Sequence, residues 1–274
     1  MKYLRIIYFL VFYMVATSCH SKSGEETAKD EPGDFKEMET DLLRTYSKLF
    51  SLYQHDNDSL ETQSDLFSGK LVGFIKNNPA TLNYPFHQLK DSNAVDIATS
   101  SDSLFRIYSW DTWLGGTMHY FDNIYQYKSG DKIYFLHPEK DGDDSEAFYS
   151  EIFTIKTGSR TWYLVVGNTI SSTKDAAQFI RAVTIENNAV NDTGKLFRTK
   201  TKSLNEIYVA FDFFSVVDRP ERPLKLIKYD PDKRIVYIPV VKEEGKVTDK
   251  FILYQFNGQY FEHILTEKTS GENR

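Results

Sequence analysis

Residues 104–110 read LFRIYSW, residues 118–127 read MHYFDNIYQY and residues 132–136 read KIYFL. Aromatic and β-branched residues recur in these stretches at a period near two, which is typical of β-strands. The polar turn Ser129-Gly130-Asp131 separates the last two stretches, and a connection this short joins antiparallel neighbours. These residues therefore predict a meander of antiparallel strands.

The period-two pattern begins after Pro85 and continues almost to the C-terminus. Turn signals arrive at intervals that suit successive hairpins, and Asn257-Gly258 predicts a type I′ turn because both positions tolerate positive φ. We expect about twelve strands in a barrel-, sandwich- or partial-propeller-like domain. They cover residues 95–98, 104–110, 118–127, 132–136, 150–155, 162–166, 179–185, 206–215, 224–228, 235–240, 251–256 and 259–264.

Two helices are predicted ahead of the strands, where apolar residues recur at spacings of three and four. Asp34 caps the first helix, Asp58 or Ser59 caps the second, and Asn77-Asn78-Pro79 ends the second. The expected fold class is α+β: mainly β, with an N-terminal helical pair packed on the β domain.

The N-terminus has the pattern of a secretory signal peptide. Lys2 and Arg5 precede an apolar run at residues 6–16, which is shorter than the roughly 20 residues of a membrane-spanning helix. We therefore predict a cleaved signal. Composition then divides the chain into a signal peptide at 1–18, a flexible tether at 19–33, the helical pair at 34–78, the antiparallel β domain at 79–266 and a disordered tail at 267–274.

Val15-Ala16-Thr17-Ser18-Cys19 resembles a bacterial lipobox, and Cys19 is the one cysteine of the chain. The resemblance implies cleavage before Cys19 and diacylglycerol attachment to its thiol, which makes the lipid bilayer a partner through the acyl chains. The alternative is a plain signal peptide that leaves Cys19 unmodified. If Cys19 is acylated, no thiol remains for a disulfide.

The charge balance excludes one class of partner. Removal of Lys2 and Arg5 leaves 31 basic and 39 acidic residues, a net charge of −8. Binding of nucleic acid requires clustered Lys and Arg, and no such cluster occurs in the sequence. We therefore expect no nucleic-acid partner.

The segment from residue 105 to residue 121 is the densest in aromatic and polar residues together. Gly115-Gly116 permits a tight turn, which would bring neighbouring side chains to one hairpin end. Exposed indole rings beside an acid and a histidine resemble a sugar-binding platform, although the aromatic residues could instead divide between core and surface. The candidate binding residues are Trp110, Asp111, Trp113, His119 and Tyr120.

Other chemistry has weaker support in the sequence. The serines lie in no Gly-x-Ser-x-Gly turn, and no two histidines have metal-ligand spacing. The acidic loop at 139–146 offers Asp141, Asp143 and Asp144 as a weak metal candidate, but it also fits a solvated hairpin loop. We expect no cofactor. Paired carboxylates for glycoside hydrolysis remain open, because such pairs are recognised by their separation in space.

Residues 105–111, 115–118 and 124–127, together with 83–86 and 254–258, resemble uncharacterised lipoproteins of Bacteroidota. The resemblance covers most of the mature domain. It implies a lipid-anchored protein of the bacterial cell envelope, in the outer membrane, and it implies no reaction or ligand.

The sequence is therefore interpreted as a membrane-anchored lipoprotein that acts as a non-enzymatic binding or envelope-interaction module, with a glycan or an envelope protein as partner. One alternative is a hydrolase that acts on a glycan or the cell wall through paired carboxylates. Another is a structural periplasmic module that docks through its helices.

Overall fold

The computed structural model describes residues 32–55, 59–138, 147–158 and 160–268. The predicted signal peptide, Cys19 and the acidic loop with Asp141, Asp143 and Asp144 lie outside these ranges. No helix within the described ranges combines the length and the apolar character needed to cross a bilayer.

The predicted fold class is confirmed: the protein is mainly β, with an N-terminal helix pair followed by antiparallel sheets. The helices are α1 (Pro32–His55), α2 (Leu60–Asn77) and α3 (His87–Asp91), with 3-10 turns at Pro79–Leu82 and Phe213–Ser215. The described residues contain fifteen strands: β1 (Asp96–Thr99), β2 (Phe105–Asp111), β3 (Phe121–Ser129), β4 (Lys132–Leu136), β5 (Phe148–Thr157), β6 (Arg160–Ile170), β7 (Asp175–Glu186), β8 (Ala189–Asn191), β9 (Phe197–Arg198), β10 (Ser203–Leu204), β11 (Glu206–Asp212), β12 (Lys228–Asp230), β13 (Ile235–Val241), β14 (Val247–Phe256) and β15 (Phe261–Lys268).

Several predicted boundaries are wrong. Helix α1 begins at Pro32, so the last two residues of the predicted tether are helical, consistent with the fixed φ of proline at a helix start. Glu267 and Lys268, predicted as the start of a disordered tail, end strand β15. The predicted strand at 224–228 forms only from Lys228 onward, and the buried residues Leu226 and Ile227 lie in an irregular segment before it.

The predicted type I′ turn at Asn257-Gly258 is also wrong. Gly258 has a φ of 101°, but Asn257 is not in the positive region, and its side chain instead accepts bonds from the backbone N–H groups of Gln259 and Tyr260 at 2.9 Å each. The two consecutive positive φ values lie at Asn187 and Asn188, which join β7 to β8. Asparagine tolerates this region, so the two-residue connection forms there.

Three main sheets carry the fold. The first has the order β1-β2-β3-β4, the second β11-β7-β6-β5 with β8 beside β7, and the third β10-β9-β15-β14-β13-β12. Neighbouring strands are antiparallel except for the short parallel pair of β15 and β9. Most pairs join strands that are consecutive in the sequence, as predicted for a meander, but β11 returns to pair with β7 and β15 with β9. The chain builds stacked layers.

The hydrophobic clusters define the order of these layers. Helices α1 and α2 bury Leu49 and Phe67 against Tyr108 and Trp110 on one face of the first sheet. The opposite face, with Phe105 and Ile107, packs on Tyr163 and Phe179 of the second sheet. The second sheet in turn packs on the third, where Leu164 and Ile180 meet Val236 and Phe256. Strand β2 therefore lies between two apolar layers and has no solvent face.

Candidate functional site

A cavity of about 440 Å³ opens between the loop that follows β2, the ends of β6 and β7, and the segment that follows β11. We call it the His119 cavity. Its wall is largely apolar, and three of its polar side chains are Tyr53, His119 and Arg222. The apolar wall includes Phe148, Ile170, Ala177, Phe211, Phe213 and Leu224. A largely apolar pocket with a few polar groups is the usual form of a small-molecule site.

Asp111 orients the imidazole of His119. Asp111 ends strand β2, and its carboxylate accepts a hydrogen bond from Nδ1 of His119 and a second bond from the backbone N–H of Trp113 at 2.8 Å. The side chain of Asp111 is only 10% exposed, whereas that of His119 is 27% exposed. Because the carboxylate is an acceptor, Nδ1 carries the proton and Nε2 is the ring nitrogen left for a ligand.

The electrostatics of this pair favour a protonated ring. The hydrogen bond to Asp111 raises the pKa of His119 above its ordinary value, although burial acts in the opposite direction. When the ring is neutral, Nε2 accepts a hydrogen bond; when the ring is charged, Nε2 donates one. The pair can therefore hold a proton at the wall of an apolar cavity.

The loop between β2 and β3 has the tight geometry that its glycines predict. Trp113 and Gly116 have φ values of 62° and 64°, and a Cβ at Gly115 would collide with the carbonyl oxygen of Met118. The loop is tied to the second sheet, because the N–H of His119 donates to the carbonyl of Ile170 at 3.0 Å. A left-handed tryptophan is rare, and such backbone strain is concentrated at functional sites.

Aromatic rings fix His119 from two sides. The ring of Phe121 stacks on the imidazole at 6.1 Å, and Trp113 meets it edge-on at 5.9 Å. Trp113 is half-buried, packs on Tyr53 at 4.7 Å and donates from Nε1 to the hydroxyl of Tyr46 at 3.2 Å. Trp113 thus links helix α1 to the histidine.

The predicted platform of two exposed indole rings is wrong for Trp110. This residue is only 1% exposed and packs between Phe67 and His137, with ring centroids 6.3 Å from each. Tyr120 is half-buried and does not line the cavity. Of the five candidate residues, Asp111, Trp113 and His119 come together around the hairpin end.

Arg222 forms part of the cavity wall that sequence reasoning missed. Its guanidinium donates to the carbonyl oxygens of Arg219, Glu221 and Val217 at 2.6, 2.7 and 3.0 Å, and it lies 5.8 Å from the ring centre of Phe213. No Asp or Glu of the described residues pairs with it or lines the cavity. No sequence motif marks this arginine, which lies more than 100 residues from His119.

Other clusters are less suited to a ligand. A second cavity of about 300 Å³ contains Arg181 and Asp192, but these residues pair with each other at 3.3 Å. Asp122 is held by His137 at 2.9 Å, and Glu151 is held by Lys225 at 2.9 Å. Within the described ranges, no group of three metal-ligating side chains comes together.

No protein-family model matches the chain, and a search of curated proteins finds no match.

Proposed function

We propose that the protein is a lipid-anchored binding module that holds a small, largely apolar ligand in the His119 cavity. The cavity itself carries this proposal. Its volume of about 440 Å³ lies within the range of roughly 300 to 1,000 Å³ that ligand pockets occupy. Its wall pairs aromatic and aliphatic side chains with a few polar groups, and Asp111 holds one of those groups in a fixed orientation.

A glycan is less well supported than an apolar ligand. Sugar recognition uses exposed rings together with several groups that bind hydroxyls. The wall does contain hydroxyl and amide groups, from Thr117, Asn168, Thr169, Ser172 and Thr173, but its exposed surface is mostly apolar and Trp110 is buried. Hydrolysis by paired carboxylates is also less well supported, because no Asp or Glu of the described residues lines the cavity. Binding without such an acid pair is therefore the preferred function.

The ligand proposal predicts that filling the cavity removes binding. Ala176 lines the cavity on β7, so phenylalanine at this position should occupy the ligand's space. We expect A176F to weaken binding of the neutral fluorescent probe N-phenyl-1-naphthylamine at least about tenfold, the equivalent of about 1.4 kcal/mol. Fluorescence titration of wild type and variant measures the difference.

A189F is the matched control, because Ala189 is exposed on β8 and is not among the residues of the cavity wall. Its affinity for the probe should equal that of the wild type, and thermal melts should show that both variants fold. Absence of saturable binding by the wild-type protein would refute the proposal, as would equal affinity in A176F and A189F.

The anchoring proposal predicts acylation at Cys19 in the bacterial cell envelope. In a bacterial host fed an alkyne-tagged palmitate, wild-type protein should be labelled and should sediment with outer membranes. C19A should lose both the label and the membrane association, because the acyl chains on Cys19 of the wild type supply the anchor.

S23A is the control for C19A, since it changes a neighbouring small polar residue and keeps the cysteine. It should be labelled like the wild type. A wild-type protein that is exported and cleaved without becoming labelled would instead establish a plain signal peptide.

A further inference from the structure

We infer that the ligand of the His119 cavity is an alkyl carboxylate, with its chain along the apolar wall and its carboxylate paired with Arg222. This inference rests on the proposed function, since it assigns a chemical class to the ligand of the same cavity. It concerns the charge of the ligand, which the proposed function leaves open.

The charge of the cavity differs in sign from that of the chain. The chain as a whole has a net charge of −6, whereas the cavity wall has an arginine and no Asp or Glu among the described residues. Asp111 is not part of the cavity wall, and its carboxylate is already bonded to His119. Arg222 is an exposed residue at the edge of this apolar wall, and a guanidinium in that position favours an anionic ligand whose chain enters the cavity.

Arg222 is also held in place before any ligand arrives. A guanidinium has five N–H donors, and three hydrogen bonds to backbone carbonyls hold that of Arg222. Two donors therefore remain, one on Nε and one on Nη2, and a carboxylate can accept hydrogen bonds from both nitrogens. Because the side chain is already ordered, binding an anion costs little additional conformational entropy.

The apolar wall begins next to this cation. Phe213 lies beside the guanidinium, and Phe211 and Leu224 continue the wall from it. A carboxylate at Arg222 would thus place an attached chain against apolar side chains. The volume of about 440 Å³ is near the lower end for ligand pockets, which suits one chain of medium length rather than the two chains of a diacyl lipid.

Decanoate and decanol test the inference, because they share a chain and differ in charge. Each is titrated against N-phenyl-1-naphthylamine bound to the protein at neutral pH. We expect the wild type to bind decanoate at least about tenfold more tightly than decanol. In R222Q this preference should disappear, because the affinity for decanoate falls to that for decanol.

R219Q is the matched control: Arg219 is close in sequence, pairs with Glu221 at 3.6 Å and is not part of the cavity wall. It should keep the preference for decanoate. If thermal melts show that R222Q does not fold, R222K takes its place, and it should reduce the preference because lysine lacks the planar fork of donors.

The two proposals fail in different ways. Equal binding of decanoate and decanol by the wild type would overturn the alkyl carboxylate and leave the apolar ligand standing. An equal loss of preference in R219Q and R222Q would overturn the assignment to Arg222. Absence of probe binding by the wild type would instead refute the proposed function itself.

Discussion

Replacement of Trp110 with alanine is expected to lower the free energy of unfolding by about 3 to 5 kcal/mol, the usual cost of truncating a buried aromatic residue. Trp110 is 1% exposed and lies near the end of strand β2. Phe67 of helix α2 contacts one part of its ring, and His137 stacks on it. The cavity left by alanine would lie between the helices and the first sheet, where close-packed neighbours relax only partly.

Urea denaturation of the wild type, W110A and W110F measures this effect. W110F should lower the free energy of unfolding much less than W110A, because it keeps an aromatic ring and removes an indole Nε1 that has no hydrogen-bond partner in the described structure. W113A is the matched comparison. Because Trp113 is half-buried, W113A should lower the free energy of unfolding by less than W110A does. A cost below about 1 kcal/mol for W110A, or a larger cost for W113A, would contradict the burial of Trp110.

Trp110 and Trp113 also show how far sequence reasoning extends for this fold. The period-two pattern places β2 within one residue of its actual start and end, because alternation depends on the local geometry of a strand. The same pattern does not reveal which faces of the strand are covered. Helices cover one face and the second sheet covers the other, so Trp110 is buried although its neighbours in sequence resemble a surface platform.

One part of the candidate site could be predicted from the sequence and another part could not. Asp111 and His119 are eight residues apart on one hairpin, and the glycines between them made their convergence predictable. The apolar wall and Arg222 come from the second sheet and from the segment after β11. Their contact with the hairpin depends on how the layers stack, and a single sequence contains no local signal for that.

Replacement of Asp96 with asparagine is expected to raise the free energy of unfolding at pH 7 by about 2 to 3 kcal/mol, the cost of keeping this half-buried carboxyl ionised. Asp96 begins strand β1, and none of the described residues supplies it with a hydrogen bond or a counter-charge. Burial raises the pKa of this carboxyl from an ordinary value of 3.8 to about 6. The folded protein still ionises Asp96 at pH 7, but compared with the unfolded chain it holds the charge at a cost of about 1.4 kcal/mol for each pH unit between the two pKa values.

The sign of this effect fixes its pH dependence. The folded state holds the Asp96 proton more tightly than the unfolded state, so the contribution of Asp96 to the free energy of unfolding is most favourable below about pH 4. The free energy of unfolding falls as the pH rises from about 4 to about 6, and above pH 6 the full cost of the ionised carboxyl remains. The asparagine side chain of D96N does not titrate. The gain from D96N should therefore be small near pH 3.5 and largest at pH 7.

Urea denaturation of the wild type and D96N between pH 3.5 and pH 8 tests the prediction, with D65N as the matched control on the exposed side of helix α2. D65N should differ little from the wild type at any pH. A gain in D96N that is the same at every pH would point to a cause other than titration, and a loss at pH 7 would mean that the carboxylate stabilises the fold.

The charge of Asp96 also acts on Tyr46. Burial is the main reason that the pKa of Tyr46 rises to about 12, and the negative charges of Asp111 and Asp96 add to it. Tyr46 bonds Trp113, and Trp113 contacts His119. Asp96 therefore acts electrostatically on a tyrosine that is linked to His119 through Trp113.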